Sequence, residues 1–130
     1  MTLTKTVQLL LVEDSHHDIF LVRQSLMSCA VPVHVTVAYD GAKALSFLNG
    51  GFHPDLIILD LSIPKISGLE LLAQYDSKEI PVVVFSSSHN PEHEKKALEL
   101  GAREYVHKPI DLEAFKVAVC DMVEKWGPRV

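Results

Sequence analysis

The sequence predicts an α/β fold, a parallel β-sheet covered by helices on both faces. Three observations predict it. The run Leu56-Ile57-Ile58-Leu59 is apolar with no polar alternation, which suits a strand buried on both faces. Segments of strand character and segments of helical spacing alternate five times along the 130 residues. Several of the expected strands end in carboxylate, hydroxyl or ammonium side chains, and an open α/β sheet places its ligands outside the carboxyl ends of its strands.

Val7 to Val12 is mostly apolar and reads as a first buried strand ending at Glu13-Asp14-Ser15. Asp14 or Ser15 suits the N-cap of the next helix, where Ile19, Val22 and Leu26 recur at helical spacing beside Phe20 and Met27. Pro32 breaks that pattern. Val33, Val35 and Val37 alternate with His34 and Thr36, as in an edge strand with one wetter face. Asp40-Gly41 is a turn; Ala42, Leu45 and Leu48 then give a short helix stopped by Asn49-Gly50-Gly51. The third strand is the Leu56 run, ending at Asp60, and Pro64 to Gly68 is a loop. Leu69, Leu72 and Ala73 are expected on one face of a third helix. Val82-Val83-Val84-Phe85 is a β-branched fourth strand that ends in Ser86-Ser87-Ser88. His89 or Asn90 leads into a fourth helix with an exposed charged face, stopped by Gly101. Glu104 to His107 is a short fifth strand, followed by Lys108-Pro109. The last helix, about Leu112 to Trp126, carries an apolar stripe of Leu112, Phe115, Val119, Met122 and Trp126, with Asp111 as its N-cap.

The length fits one domain over residues 1–130 with no output domain, and 48% hydrophobic residues suffice for a core. A net charge of −5 carries no electrostatic footprint for nucleic acid. No apolar run is long enough to span a membrane, and Met1 to Gln8 lacks a signal-peptide pattern, so the chain reads as cytoplasmic. Cys29 and Cys120 form no CxxC or disulfide framework and read as small core residues.

The chemistry lies at the strand ends. Glu13 and Asp14 follow the first strand and Asp60 the third. If those strands are neighbours, three carboxylates converge, and close acidic groups raise a pKa or demand a cation. A hard divalent ion such as Mg²⁺ prefers oxygen ligands and resolves the conflict. Ser86 supplies a hydroxyl and Lys108 an ammonium from two further strand ends. Phosphoryl transfer uses such a set: a nucleophile, a metal, and donors for the equatorial oxygens. Each feature alone has a plainer reading. Asp60 can begin a turn, Glu13-Asp14 can charge a helix N-terminus, Ser86 to Ser88 can be a polar loop, and Lys108 can be solvated. Four such coincidences at four strand ends favour the joint reading.

These residues resemble the receiver domain of two-component response regulators over nearly the whole chain. The resemblance is carried by Leu10-Leu11-Val12-Glu13-Asp14-Ser15, Asp40-Gly41-Ala42-Lys43-Ala44-Leu45, and Asp55 to Asp60 with Ile63-Pro64 and Gly68. Pro81 to Ser86 and Gly101-Ala102 through Tyr105-Val106 to Lys108-Pro109 complete it. It implies a doubly wound, five-stranded, flavodoxin-like parallel sheet of order 2-1-3-4-5, acting as a single-domain regulator rather than an enzyme. It implies Asp60 as phospho-acceptor from a sensor histidine kinase, and Glu13, Asp14 and Asp60, with the Ser62 carbonyl, as the Mg²⁺ site. Ser86 is implied as the switch hydroxyl, the Ser87 N–H as a phosphoryl donor, Lys108 as the phosphoryl-pairing lysine, and Tyr105 as the aromatic that reports the switch. A cis Lys108-Pro109 bond is expected.

Ser67 stands where the family usually carries Asp, and Ile63 where Met is common. The Ser15 to Leu26 helix, Phe85 to Ser88 and the helix ending near Trp126 are similar to the small stand-alone regulators of cyanobacterial-type phytochrome kinases. That likeness implies a phytochrome partner and a homodimer through the helix 4–strand 5–helix 5 face, with Lys95, Lys96, Tyr105, Lys116 and Trp126 on it. Neither nucleic acid nor membrane is an expected partner. The alternatives are a receiver-like interaction module that takes no phosphate, and a nucleotide-binding flavodoxin-like enzyme. The latter wants a Gly-rich phosphate loop where Glu13-Asp14-Ser15 places like charge. His89 and His93 are spaced as helical metal ligands but lack a third partner, so solvated histidines are the plainer expectation.

Overall fold

In a computed structural model, which describes residues 5–75 and 79–128, strands and helices alternate as β1 Val7–Val12, α1 His16–Leu26, β2 Val33–Ala38, α2 Gly41–Asn49 and β3 Leu56–Leu59. They continue as α3 Gly68–Gln74, β4 Val82–Ser86, α4 Pro91–Glu99, β5 Glu104–His107 and α5 Leu112–Trp126. The five strands form one sheet of order β2-β1-β3-β4-β5, and every pairing is parallel.

Alternate residues of each strand point to opposite faces, and this chain is apolar at both sets. Leu10, Val12, Ile57, Leu59, Val82 and Val84 face a core closed by Ala44 of α2, Leu71 and Leu72 of α3 and Ala97 of α4. Leu9, Leu11, Leu56, Ile58, Val83 and Phe85 face a second core closed by Ile19, Val22 and Leu26 of α1 and Phe115, Val119 and Met122 of α5. The unbroken apolar run of β3 is thus explained: it lies at the centre of the sheet and is covered twice. The alternating β2 is an edge strand, as its wetter pattern predicts.

Each helix begins with a side chain that accepts a backbone N–H, which satisfies one of the otherwise unpaired donors of the first turn. Ser15 accepts from Asp18, Asp40 from Lys43, Ser67 from Glu70, Asn90 from Glu92 and Asp111 from Ala114. Of the expected pairs, Ser15 rather than Asp14 caps α1, and Asn90 rather than His89 caps α4. On α3 the buried residues are Gly68, Leu71 and Leu72, while Ala73 is exposed, so the inward face is turned by one position. Phe20 and Met27 of the α1 segment are 57% and 81% exposed and contribute little to the core. Gly68 is required by packing: a Cβ there would lie 2.6 Å from Leu61 Cα and 2.8 Å from the Asp60 carbonyl oxygen. Its absence lets α3 start directly against the end of β3.

The two cysteines correct the expectation of unpaired core residues. Cys29, just past α1, and Cys120, within α5, are half-buried and joined by a disulfide with a Cα–Cα distance of 5.4 Å. They are 91 positions apart, so no spacing motif announces the pair. It arises because α1 and α5 pack side by side on one face of the sheet. Among the described residues no helix is long and apolar enough to cross a membrane.

Candidate functional site

The parallel register assembles the site. Val12 pairs with Leu59, so the next residues, Glu13 and Asp60, leave the sheet together. The Asp60 N–H donates to the Val12 carbonyl at 3.0 Å and the Glu13 N–H to the Ala38 carbonyl at 3.0 Å. Ser86 pairs with His107, and the Lys108 N–H donates to the Ser86 carbonyl at 2.8 Å. Four strand ends therefore deliver Glu13, Asp60, Ser86 and Lys108 to one rim of the sheet.

Lys108 crosses that rim. Its ammonium lies 2.5 Å from Glu13 Oε1, 2.7 Å from Asp18 Oδ2 and 3.3 Å from Asp60 Oδ2, with its side chain only 7% exposed. It also stands 5.9 Å from the centre of the Phe85 ring, within cation–π range. Glu13, Asp14 and Asp60 each offer an oxygen within 4.8 Å of the others. Glu13 and Asp60 are buried and Asp14 is exposed. Glu13 Oε2 faces the N–H groups of Asp14 and Ser15 at 3.1 and 3.3 Å. The Ser62 N–H donates to Asp60 Oδ1 at 3.2 Å, which folds the loop after β3 over the carboxylate.

Three carboxylates meet one ammonium and Asp14 lies beside two of them, so the site carries excess negative charge. Burial pushes the Glu13 carboxyl up to about 7, and its contact with Asp60 adds to that; Lys108 pulls the other way. Burial also opposes the Lys108 ammonium, but its contacts with Asp18 and Glu13 and the charge of Asp60 win, and its pKa is raised. The donor set consists of oxygens alone, converging from three residues with more negative charge than Lys108 neutralises. That set fits a hard divalent cation such as Mg²⁺.

The hydroxyl side is arranged differently. Ser86 is buried, and its Oγ accepts from the Ser88 N–H at 3.1 Å. Tyr105 is half-buried, and its hydroxyl donates to the Ser88 carbonyl at 3.0 Å. Ser88 Oγ meets His93 Nδ1 at 2.7 Å. Ser87 is exposed beside the rim. His89 stacks on His107 at 4.8 Å, and His107 Nε2 lies 3.4 Å from Glu94. His89 and His93 thus serve separate contacts. The grouping of Glu13, Asp14 and Asp60 is the one metal-competent set among the described residues. Trp126 is half-buried and donates to Glu104 at 2.8 Å.

The structure brings Glu13, Asp14, Asp60, Ser62, Ser86, Ser87 and Lys108 to one rim, with Tyr105 one step behind on β5. The expected cis Lys108-Pro109 bond is absent: there are no cis peptide bonds among the described residues. The trans form is the ordinary one for X–Pro, and Lys108 reaches the carboxylates from it. Sequence reading missed Asp18. Its only signal was position: it lies in the first turn of the helix that follows Glu13-Asp14, where an acidic side chain is favoured near the strand end.

The family model of the response regulator receiver domain matches residues 9–120. Response regulator Rcp1 of Synechocystis sp. is 37% identical over 115 residues, covering 81% of this chain and 78% of that protein. The phosphorylated cyanobacterial phytochrome response regulator RcpA superposes with a TM-score of 0.86 at 35% identity, covering 94% of both chains. The Mn²⁺-bound form of Rcp1 superposes with a TM-score of 0.84 at 34% identity, covering 95% of this chain and 96% of that one. The similarity to RcpA agrees with the phytochrome-linked likeness carried by the sequence. With a family match over most of its length and a fold shared with such relatives, the chain belongs to the response regulator receiver-domain family.

Proposed function

We propose that this chain takes a phosphoryl group from a sensor histidine kinase onto Asp60 and signals through the change this makes to its surface. The observation that carries the reading is the placement of the buried Asp60 carboxylate between an acidic pair and the Lys108 ammonium. Asp60 Oδ attacks the phosphorus of a phosphohistidine; the P–N bond breaks, its electron pair leaves with the imidazole, and an acyl phosphate forms. Glu13, Asp14, Asp60 and the Ser62 carbonyl would hold Mg²⁺, which when bound offsets the charge of the transferring group. Lys108 neutralises an equatorial oxygen, and the Ser87 N–H donates to another.

A cleft of about 240 Å³ beside Lys108 is lined by His17, Asp18, Leu21, Ser87, Ile110 and Leu112 among others. Ile110 is fully exposed and Leu112 is 66% exposed, which suits an apolar contact with the kinase helix that presents its histidine. The likeness to Rcp1 and RcpA supports a phytochrome as that kinase.

Phosphate on Asp60 adds charge and strong acceptors. The Ser86 hydroxyl, which accepts from the Ser88 N–H, then turns to donate to a phosphoryl oxygen, the loop after β4 shifts, and Tyr105 loses its acceptor and turns. The face of α4, β5 and α5 changes as a result, and through it the chain meets a second copy or a target. The protein acts in the cytoplasm, where kinases have ATP. A disulfide is uncommon there, so the Cys29–Cys120 link is expected to be partly reduced in cells, which alkylation of acid-quenched extracts measures.

The test is labelling by acetyl phosphate with Mg²⁺, read by intact mass. The wild-type chain gains one phosphoryl group and Asp60→Asn gains none. Equal labelling of the two would end the assignment, and no labelling of either would favour a receiver-like module that takes no phosphate.

A further inference from the structure

Asp18 lies outside the metal-competent set, yet its carboxylate is closer to the Lys108 ammonium, at 2.7 Å, than is Asp60, at 3.3 Å. The three N–H donors of Lys108 serve three carboxylates. Two of those, Glu13 and Asp60, belong to the metal-competent set, so a divalent cation there would compete with Lys108 for those two carboxylates. Asp18 has no such competing claim, so its contact with Lys108 persists when the metal site is filled. Asp18 is carried by α1, whereas Asp60 follows β3 and Ser86 ends β4, so its carboxylate reaches the ammonium from a different element. Its own helix start is secured separately, because the Ser15 cap uses the Asp18 backbone N–H and leaves the carboxylate free.

We propose that Asp18 is a positioning residue: it tethers the Lys108 ammonium toward α1 and so limits how fully Lys108 engages a phosphoryl group on Asp60. The proposal rests on the reading of Asp60 as phospho-acceptor. With acetyl phosphate as donor, Asp60 Oδ forms a bond to phosphorus. The bond from phosphorus to the acetyl oxygen breaks, and its electron pair leaves on acetate. Negative charge on the equatorial oxygens is what Lys108 neutralises, so a freer ammonium speeds the step. Removing the Asp18 charge also lowers general repulsion of an anionic donor. That second effect does not pass through Lys108, and a double-mutant cycle separates the two.

The experiment measures the initial rate of labelling by acetyl phosphate at saturating Mg²⁺ for the wild type, Asp18→Asn, Asp18→Glu, Lys108→Ala and Asp18→Asn with Lys108→Ala. Circular dichroism checks that each variant is folded. Asp18→Asn is expected to label about three to ten times faster than wild type, toward the lower end of the coupling found between residues in contact. Asp18→Glu keeps the tether and stays within about twofold. In the Lys108→Ala background Asp18→Asn changes the rate less than about 1.5-fold. If Lys108→Ala labels too slowly to follow, the dissociation constant of beryllofluoride with Mg²⁺ on the wild type, the two single variants Asp18→Asn and Lys108→Ala, and their double variant closes the cycle without transfer. No change in Asp18→Asn, or an equal change with and without Lys108, overturns the tether. A wild-type chain that takes no phosphoryl group overturns the Asp60 reading instead, and Asp60→Asn run alongside identifies that failure.

Discussion

Asp60 has two flanks, built on different physics. On one, Lys108 already touches Glu13, Asp18 and Asp60, held by charge. On the other, Ser86 is turned to the Ser88 N–H, and Tyr105 is tied to the Ser88 carbonyl by a neutral hydrogen bond. A buried ammonium cannot be left unpaired, because stranding it costs several kcal/mol. It must have partners in every state, so it is prearranged. A neutral hydroxyl loses only about 1 kcal/mol when it changes partner. The difference teaches where a switch belongs in this site: the charged flank binds, and the neutral flank moves.

The charged flank depends on α1, which carries Asp18 and follows Asp14. The link from Cys29 to Cys120 fastens the end of that helix to α5. Closing a long loop of chain stabilises a fold by about 2–4 kcal/mol. Thiol reductant, or Cys29→Ser with Cys120→Ser, should lower stability by that amount in urea melts. An unchanged midpoint would show that α1 is held by packing alone.

A somewhat smaller effect concerns pH. The Glu13 carboxyl is raised to about 7 from an ordinary value of 4.5, so between those values the folded chain binds the proton more tightly than the unfolded chain. Its contribution is fully present below about pH 4.5 and is lost as pH rises through about 7. Without divalent cation, stability should fall over that window by at most about 3 kcal/mol. Mg²⁺ or Glu13→Gln should flatten the slope. Melts in EDTA that are level from pH 5 to 8 would mean that Lys108 alone balances the charge.

The smallest effect belongs to the neutral flank. Tyr105→Phe removes one hydrogen bond to the loop after β4 and should cost about 1 kcal/mol. It should also speed amide exchange at Ser87 and Ser88 while leaving that at Glu13 and Asp60 unchanged. Exchange rising equally on both sides of Asp60 would erase the distinction between the flanks.

Most of the fold was legible because it is written locally. Leu56 to Leu59 announces a strand covered twice, and Ser15 and Asp111 announce helix starts, since each pattern needs only near neighbours in the chain; Asp40, read as a turn residue, is also a cap. The carboxylates at strand ends were legible for the same reason. The inward face of α3 was misplaced by one residue, with Leu71 buried where Ala73 was expected. The seven described residues of that helix give too few turns for spacing to define a face.

The sequence by itself determined the alternating elements, the two apolar faces of the sheet and the residue types at its rim, because these follow from side-chain period and capping chemistry. Only the tertiary structure decided that Asp18 shares Lys108, that Cys29 meets Cys120, that Lys108-Pro109 is trans and that Ser86 turns to Ser88. Each of these depends on the separation between packed elements or on one rotamer or one peptide isomer. Such distances are set by the whole core rather than by any stretch of chain.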